Sequence, residues 1–161
     1  MGRTACQRVK VPGVLQMEAA ECGAAALAMV LGYHGRFVSL EMLRLDCGVS
    51  RDGSRAGNLL KAAAKHGLKA DGYRLEPAYL HEHPLPMILH WNFNHFVVLE
   101  GFDADKYYIQ DPAGGRREVS SQEFNQSFTG IALVFSPGPN FVRAGARPKV
   151  GWLLLKRLSG S

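Results

Sequence analysis

Apolar positions fall into two regimes along the chain. From Gly23 to Tyr33 the run GAAALAMVLGY is apolar almost all round, the pattern of a helix buried on every side. Two further segments carry helix punctuation. Ser39 can cap a helix over 40–47 closed by Gly48, and Ser54 one over 55–66 closed by Gly67. Beyond residue 67 the pattern changes to short runs rich in β-branched and aromatic residues, bounded by Gly, Pro and Asp. LKADGYRL (68–75), PMILHW (86–91), HFVVLEGF (95–102), KYYIQD (106–111) and GIALVFS (130–136) read as strands of a mostly antiparallel sheet. Ser120 with Glu123 marks a short helix before the last of them. Helices first and strands afterwards predict an α+β domain.

A chain of 161 residues, 47% of them hydrophobic, is long enough to bury about 70% of its unfolded surface. It needs no cofactor or disulfide as a staple, and none is implied. The net charge of +5 resides in the last segment: residues 137–161 carry Arg143, Arg147, Lys149, Lys156 and Arg157 and no acid, leaving 14 basic and 14 acidic residues before them. A neutral body argues against nucleic acid as a partner, because a binding domain sets its Lys and Arg on a working surface. Cys6, Cys22 and Cys47 cannot all pair, and the N-terminus has no apolar secretion segment, so a reducing cytosolic setting is expected. No run reaches the roughly 18 apolar residues of a membrane span, and the fragment is expected to be soluble.

PGPNFVRAGARPK (137–149) reads as a linker leaving a completed domain. The expected boundaries are a domain over 1–140 and, over 141–161, a linker with an apolar, basic stub. That stub is either a frayed terminus or the approach of a longer protein to a membrane.

The chemistry centres on Cys22, which directly precedes the buried helix. Unpaired N–H groups and the positive end of the helix dipole stabilise a thiolate there, and a cationic His nearby strengthens the effect. His95 opens one strand and Asp111 closes the next, with turn residues 103–105 between them. A hairpin centred on residue 103 pairs 95 directly with 111 on one face, Cβ atoms about 5 Å apart. A slip of one residue would put Asp111 on the opposite face. In that register one imidazole nitrogen meets the carboxylate and the other faces the thiol, the logic of nucleophile, base and orienter. Gln16, six residues before Cys22, can supply a side-chain amide to an oxyanion.

The stretches QMEAAECGAAALAMV (16–30), LPMILHWNFNHFVVLEGF (85–102) and IQDPAGG (109–115) together resemble the papain-like double-glycine leader peptidases. These are the N-terminal domains of peptidase-containing ABC transporters that process and export bacteriocins and related peptides, and the likeness is strongest to exporters of precursors with nitrile-hydratase-like leaders. The resemblance covers roughly 9–140. It implies a papain-like fold, with Cys22 as nucleophile, His95 as base, Asp111 as orienter and Gln16 as oxyanion donor. The implied substrate is a precursor of bacteriocin or lanthipeptide type, cut after Gly-Gly or Gly-Ala, whose amphipathic leader docks as a helix on an apolar groove. Trp91 and Phe93 are candidate walls of a narrow cleft that admits only glycine-sized residues. The implied partners are the membrane and ATPase regions of a transporter, at the cytoplasmic face of the bacterial inner membrane. No G-x-x-x-x-G-K-[ST] loop occurs in this chain, so ATP is not its own ligand. Two rival readings remain: a docking domain that binds precursor without cutting it, and a metal hydrolase drawing on His81, His83, His90 and His95, whose spacing fits no usual zinc pattern.

Overall fold

The computed structural model describes residues 7–49 and 53–146. Helices α1 (Cys22–Tyr33), α2 (Leu40–Asp46) and α3 (Ala56–Lys65) precede a seven-stranded antiparallel sheet. Its strands are β1 (Gln7–Arg8), β2 (Leu68–Arg74), β3 (Met87–Trp91), β4 (His95–Phe102), β5 (Lys106–Asp111), β6 (Gly115–Ser120) and β7 (Phe128–Pro137), with α4 (Ser121–Ser127) between the last two. The sheet order is β2-β7-β3-β4-β5-β6, and β1 adds to β4. The α+β expectation holds.

Every residue of α1 except Tyr33 is buried, as its unbroken apolar run requires. The helix lies over one face of the sheet, where Leu27, Met29 and Leu31 join Leu59 and Ala63 of α3 and Ile88, Phe96, Val98, Leu133 and Phe135 of the strands. The alternate residues of the same strands, Met87, Leu89, Val97, Leu99 and Ile109, form a second core on the opposite face, closed by Phe124 of α4. Period-two alternation thus gives β3 and β4 two apolar faces, which is why they read as continuous hydrophobic runs.

Ser39 caps α2 as expected, its Oγ accepting the Met42 N–H at 3.2 Å. Ser54 does not cap α3. The N-cap is Arg55, with no side-chain hydrogen bond to the helix. Ser120 caps α4 by accepting the Glu123 N–H, but the Glu123 carboxylate turns to Arg117 at 2.8 Å instead of closing a capping box.

The β4–β5 hairpin turns one residue later than the sequence reading placed it. Phe102 pairs with Tyr107 and Gly101 with Tyr108; then Glu100 bulges out of the ladder, which resumes at Leu99–Ile109 and Val98–Gln110. Continuing that ladder sets Asp111 opposite Val97, so the direct 95–111 pair is corrected to a diagonal one. The later turn is the physical reason: its register alone would set Asp111 opposite Val98, on the other face, and the extra residue of the Glu100 bulge brings it back to Val97. A shift of two residues preserves the face, so the pairing of His95 with Asp111 survives it. Gly101 lies beneath β1, where a Cβ would strike the Gln7 carbonyl and Arg8.

The packed chain extends past the expected boundary. Phe141 packs against the first core, Phe37 N–H donates to the Ala144 carbonyl at 2.8 Å, and Arg36 Nη1 donates to the Val142 carbonyl at 3.1 Å. A half-buried phenylalanine and main-chain pairing hold a segment whose Pro and Gly content suggested a free linker. The stub at 150–158 and Cys6 lie outside the described residues. Among those residues no helix is long and apolar enough to cross a membrane.

Candidate active site

Cys22 begins α1 after a one-turn 3-10 segment (Ala19–Glu21), so its thiol stands at the positive end of the helix. It is 6% exposed and lines a cavity of about 320 Å³ with Ala56, His90, Phe93, Phe96 and Ile131. Gly23 allows this packing. A Cβ there would meet Leu59 at 3.0 Å and Phe96 at 3.5 Å, so a larger residue would push the start of α1 away from β4.

His95, at the start of β4, carries its imidazole between two partners. Nε2 lies 2.7 Å from Asp111 Oδ1, and the Cys22 side chain is near enough to the ring to help raise its pKa. With Nε2 turned to the carboxylate, Nδ1 is the nitrogen left for the sulfur. Asp111 Oδ1 also accepts the Ala113 N–H at 2.8 Å, which fixes the carboxylate against the β5–β6 turn. The hydrogen bond with Asp111, followed by the nearness of Cys22, raises the His95 pKa to about 9 against the opposing effect of burial. Burial acts to raise the Asp111 pKa, but the hydrogen bonds from His95 and the Ala113 N–H outweigh it and hold the carboxyl below its ordinary range. At neutral pH the pair is an imidazolium and a carboxylate.

Gln16, in the N-terminal segment, is tied through its main chain next to Asp111. Its N–H donates to the Pro112 carbonyl at 2.8 Å, one residue beyond Asp111, and its Oε1 is buried without a hydrogen-bond partner. Upstream, the same segment is held by Glu100. The Val9 N–H donates to the Glu100 carbonyl at 2.7 Å and the Val11 N–H to Oε2 at 2.8 Å, while Arg116 grips both carboxylate oxygens.

The two aromatic candidates separate. Phe93 is 79% exposed at the cavity rim, in a tight turn where Asn92 and Phe93 have φ of 52° and 64°. Such a backbone is unfavourable for a bulky residue, so the turn holds Phe93 outward at some cost in strain. Trp91 is no cleft wall. It is 2% exposed and packs edge-on against Phe124 in the second core. It shares the face of Met87 and Leu89, so β3 offers the cavity His90 instead. From sequence His90 is weighed only as a metal ligand, because a histidine in an apolar strand carries no signal of which face it takes. The other histidines go separate ways: His81 Nδ1 meets the Ala78 carbonyl, and His83 stacks on Tyr73. Among the described residues no three His, Cys, Asp or Glu gather as a metal site.

A profile of the peptidase C39 family matches residues 10–140. The chain belongs to that family. It is 39% identical over 135 residues, 84% of this chain, to the probable microcin-H47 secretion/processing ATP-binding protein of Escherichia coli. It is 39% identical over 132 residues, 82% of this chain, to the colicin V secretion/processing ATP-binding protein of the same organism. The matches span only 19% of the length of either relative. Among solved structures, a double glycine motif protease from an AMS/PCAT transporter, crystallised with its leader peptide, superposes with a TM-score of 0.79 at 58% identity, covering 81% of this chain and 94% of that one. The peptidase domain of Streptococcus ComA superposes with a TM-score of 0.76 at 24% identity, covering 80% of this chain and 99% of that one, which speaks for the fold alone. The C39 architecture is papain-like, with a helix-borne cysteine position set against the sheet.

Proposed function

We propose that this C39 peptidase domain is a cysteine endopeptidase that removes leaders from ribosomally made precursor peptides after a Gly-Gly or Gly-Ala motif. The observation that carries the reading is the His95 imidazole bonded to Asp111 at 2.7 Å, with Cys22 at the start of α1 on the cavity. The Cys22 sulfur is the nucleophile, with the His95 imidazole as its proton carrier. Attack on the scissile carbonyl forms the carbon–sulfur bond and moves an electron pair to oxygen. The Gln16 side-chain amide and the Cys22 N–H receive that oxyanion. His95 then gives its proton to the departing amine, leaving a thioester. Water attacks the thioester with His95 as base, and the leader departs as a carboxylate with the thiolate regenerated. Asp111 orients the ring and stays ionised throughout.

The likeness to a protease crystallised with its leader peptide supports the substrate class. Phe93 and Phe96 narrow the cavity beside Cys22, which suits residues without a side chain. The relatives' secretion/processing ATP-binding names support the remaining regions of a transporter as partners, at the cytoplasmic membrane face. Incubation with a synthetic double-glycine precursor, with mass spectrometry of the products, tests the reading. A single cut after the second small residue is expected, inhibited by alkylating agents and indifferent to chelators. Comparable kcat/KM for Gly-Gly and Leu-Leu precursors would replace it with a general cysteine protease, and binding without product with a docking domain.

A further inference from the structure

We infer that Glu21 is a positioning residue for the oxyanion site, its buried carboxylate holding Gln16 in place beside Cys22. This rests on the proposed role of Gln16. Glu21 is 2% exposed, and a carboxylate removed from water persists only when its oxygens are satisfied. Oε1 accepts the Met17 N–H at 2.7 Å and the Glu18 N–H at 2.9 Å, and Oε2 forms an ion pair with Arg44 Nε of α2 at 3.0 Å. The two N–H groups belong to the residues directly after Gln16, while Glu21 itself directly precedes Cys22. One carboxylate thus ties the oxyanion donor to the nucleophile.

Hydrophobic burial holds the segment upstream, at Val11 and Val14, but not at the residues flanking Gln16. Leu15 is 60% exposed and Met17 83%, so the side chains on either side of Gln16 reach into solvent. What fixes Gln16 is main-chain hydrogen bonding on both sides: its own N–H on Pro112 beside Asp111, and the next two N–H groups on Glu21. An oxyanion donor acts by being fixed before charge develops, so a loosened Gln16 loses rate and not substrate affinity. Neither Glu21 nor Arg44 touches the reacting atoms in this account. Any effect of Glu21 therefore passes through Gln16 and is bounded by what removal of Gln16 costs.

The test measures kcat and KM on a double-glycine precursor for Glu21→Ala, Glu21→Gln, Gln16→Ala and the Gln16→Ala/Glu21→Ala pair, beside the rate at which iodoacetamide alkylates Cys22. Alkylation displaces iodide from carbon and forms no oxyanion, so it reports the thiolate alone. Gln16→Ala should lower kcat by roughly 10²–10³, and Glu21→Ala by roughly tenfold or more within that bound, with KM and alkylation within about twofold of the parent. The double variant should be no slower than Gln16→Ala. Glu21→Gln should lie between parent and Glu21→Ala, because its carbonyl can still accept the two N–H groups while its amide faces Arg44. Should Glu21→Ala fail to fold by circular dichroism, Glu21→Gln carries the same comparison. Alkylation slowed in step with kcat would overturn the inference, since Glu21 would then serve the thiol or the helix start. Losses that multiply fully in the double variant would overturn it too. An unchanged kcat in Gln16→Ala would remove the role of Gln16 and this inference with it, whereas a slow Gln16→Ala beside a fast Glu21→Ala would sink the inference alone.

Discussion

Two clusters in this chain use the same three residue types. In one, His95 Nε2 meets Asp111 at 2.7 Å beside Cys22; in the other, His66 Nε2 meets Asp46 at 2.7 Å, and Cys47 follows Asp46 in sequence. The bond lengths are equal, so the hydrogen bond alone does not make a catalytic group. The helices set them apart. Cys22 stands at the start of α1, where the dipole favours negative charge, and Cys47 is the C-cap of α2, where it opposes it. Burial, then the neighbouring Asp46 charge, push the Cys47 thiol up to about 12. The second imidazole nitrogen completes the contrast. That of His95 is left for sulfur, whereas His66 Nδ1 accepts from Arg36 Nε at 3.3 Å. A thiol at a helix start, on a cavity, with a histidine nitrogen free for it, is poised for chemistry; the same groups at a helix end are a structural brace.

Cysteine substitutions should break the comparison most sharply. Cys22→Ala should abolish cleavage and leave leader binding intact, as measured by product mass spectrometry and by titration with labelled leader. Cys47→Ala should keep full kcat/KM and lose on the order of 1 kcal/mol of stability, the worth of one buried sulfur. Iodoacetamide should label Cys22 and spare Cys47 in the folded protein, and equal labelling would erase the distinction.

The carboxylates should divide in the same way. Asp111→Asn should lower kcat/KM by roughly 10²–10⁴ with little change in Tm, because the imidazole loses its orienter. Asp46→Asn should leave kinetics alone and cost about 1–3 kcal/mol, because it removes the charge that satisfies Lys65 and His66. The pH dependences should run in opposite directions. Burial acts to raise the Asp46 pKa, but the hydrogen bonds from Lys65 and His66 leave it lowered, so its stabilisation is present above the ordinary carboxylate pKa and is lost as pH falls below it. His95 is raised to about 9, so its contribution is full below 6.5 and is lost as pH rises through about 9. The kcat/KM profile should accordingly hold until about pH 9 and then decline, and in Asp111→Asn that decline should move toward neutral pH. A basic limb near 6.5 in the parent would show that the Asp111 bond is not made in solution.

Much of this division is legible in the sequence, because it depends on where residues sit in elements. The apolar run from Gly23 and the β-branched runs over 86–102 have only one packed solution each, and the helix start that follows Cys22 comes with them. What escapes is carried by charges and bulges. β6, GRREVS, is an edge strand with a mostly exposed face and no apolar alternation to announce it. Glu100 bulges from β4 because its carboxylate is claimed by Arg116 and the Val11 N–H, partners 16 and 89 residues away. That bulge shifts the ladder by one residue and so decides which face Asp111 takes. Trp91 and Phe93 look alike in sequence, and only the positive φ of the turn sends one into the core and the other to the rim. The candidate catalytic residues are readable from position, while Glu21 is not, because its partners are the main-chain N–H groups of Met17 and Glu18 and an arginine on another helix, none of which the sequence pattern announces.

The smallest effect expected concerns the segment that leans on the second cluster. Arg36 joins His66 to the Val142 carbonyl, and Phe141 lies edge-on to His34 with ring centroids 6.3 Å apart. If that cluster is a brace, removing what it braces should cost stability and no activity. Phe141→Ala should lose about 1–3 kcal/mol, below the 3–5 of a fully buried phenylalanine because its ring is only partly covered. Truncation after residue 139 should lower Tm further, since it also removes the pairing of Phe37 with Ala144, while truncation after residue 146 should leave Tm and kcat/KM unchanged. Thermal denaturation beside precursor cleavage measures both. A fall in kcat/KM for Phe141→Ala at unchanged Tm would reverse the reading, because the segment would then be coupled through α1 to the Cys22 end of the molecule and the two clusters would no longer be independent.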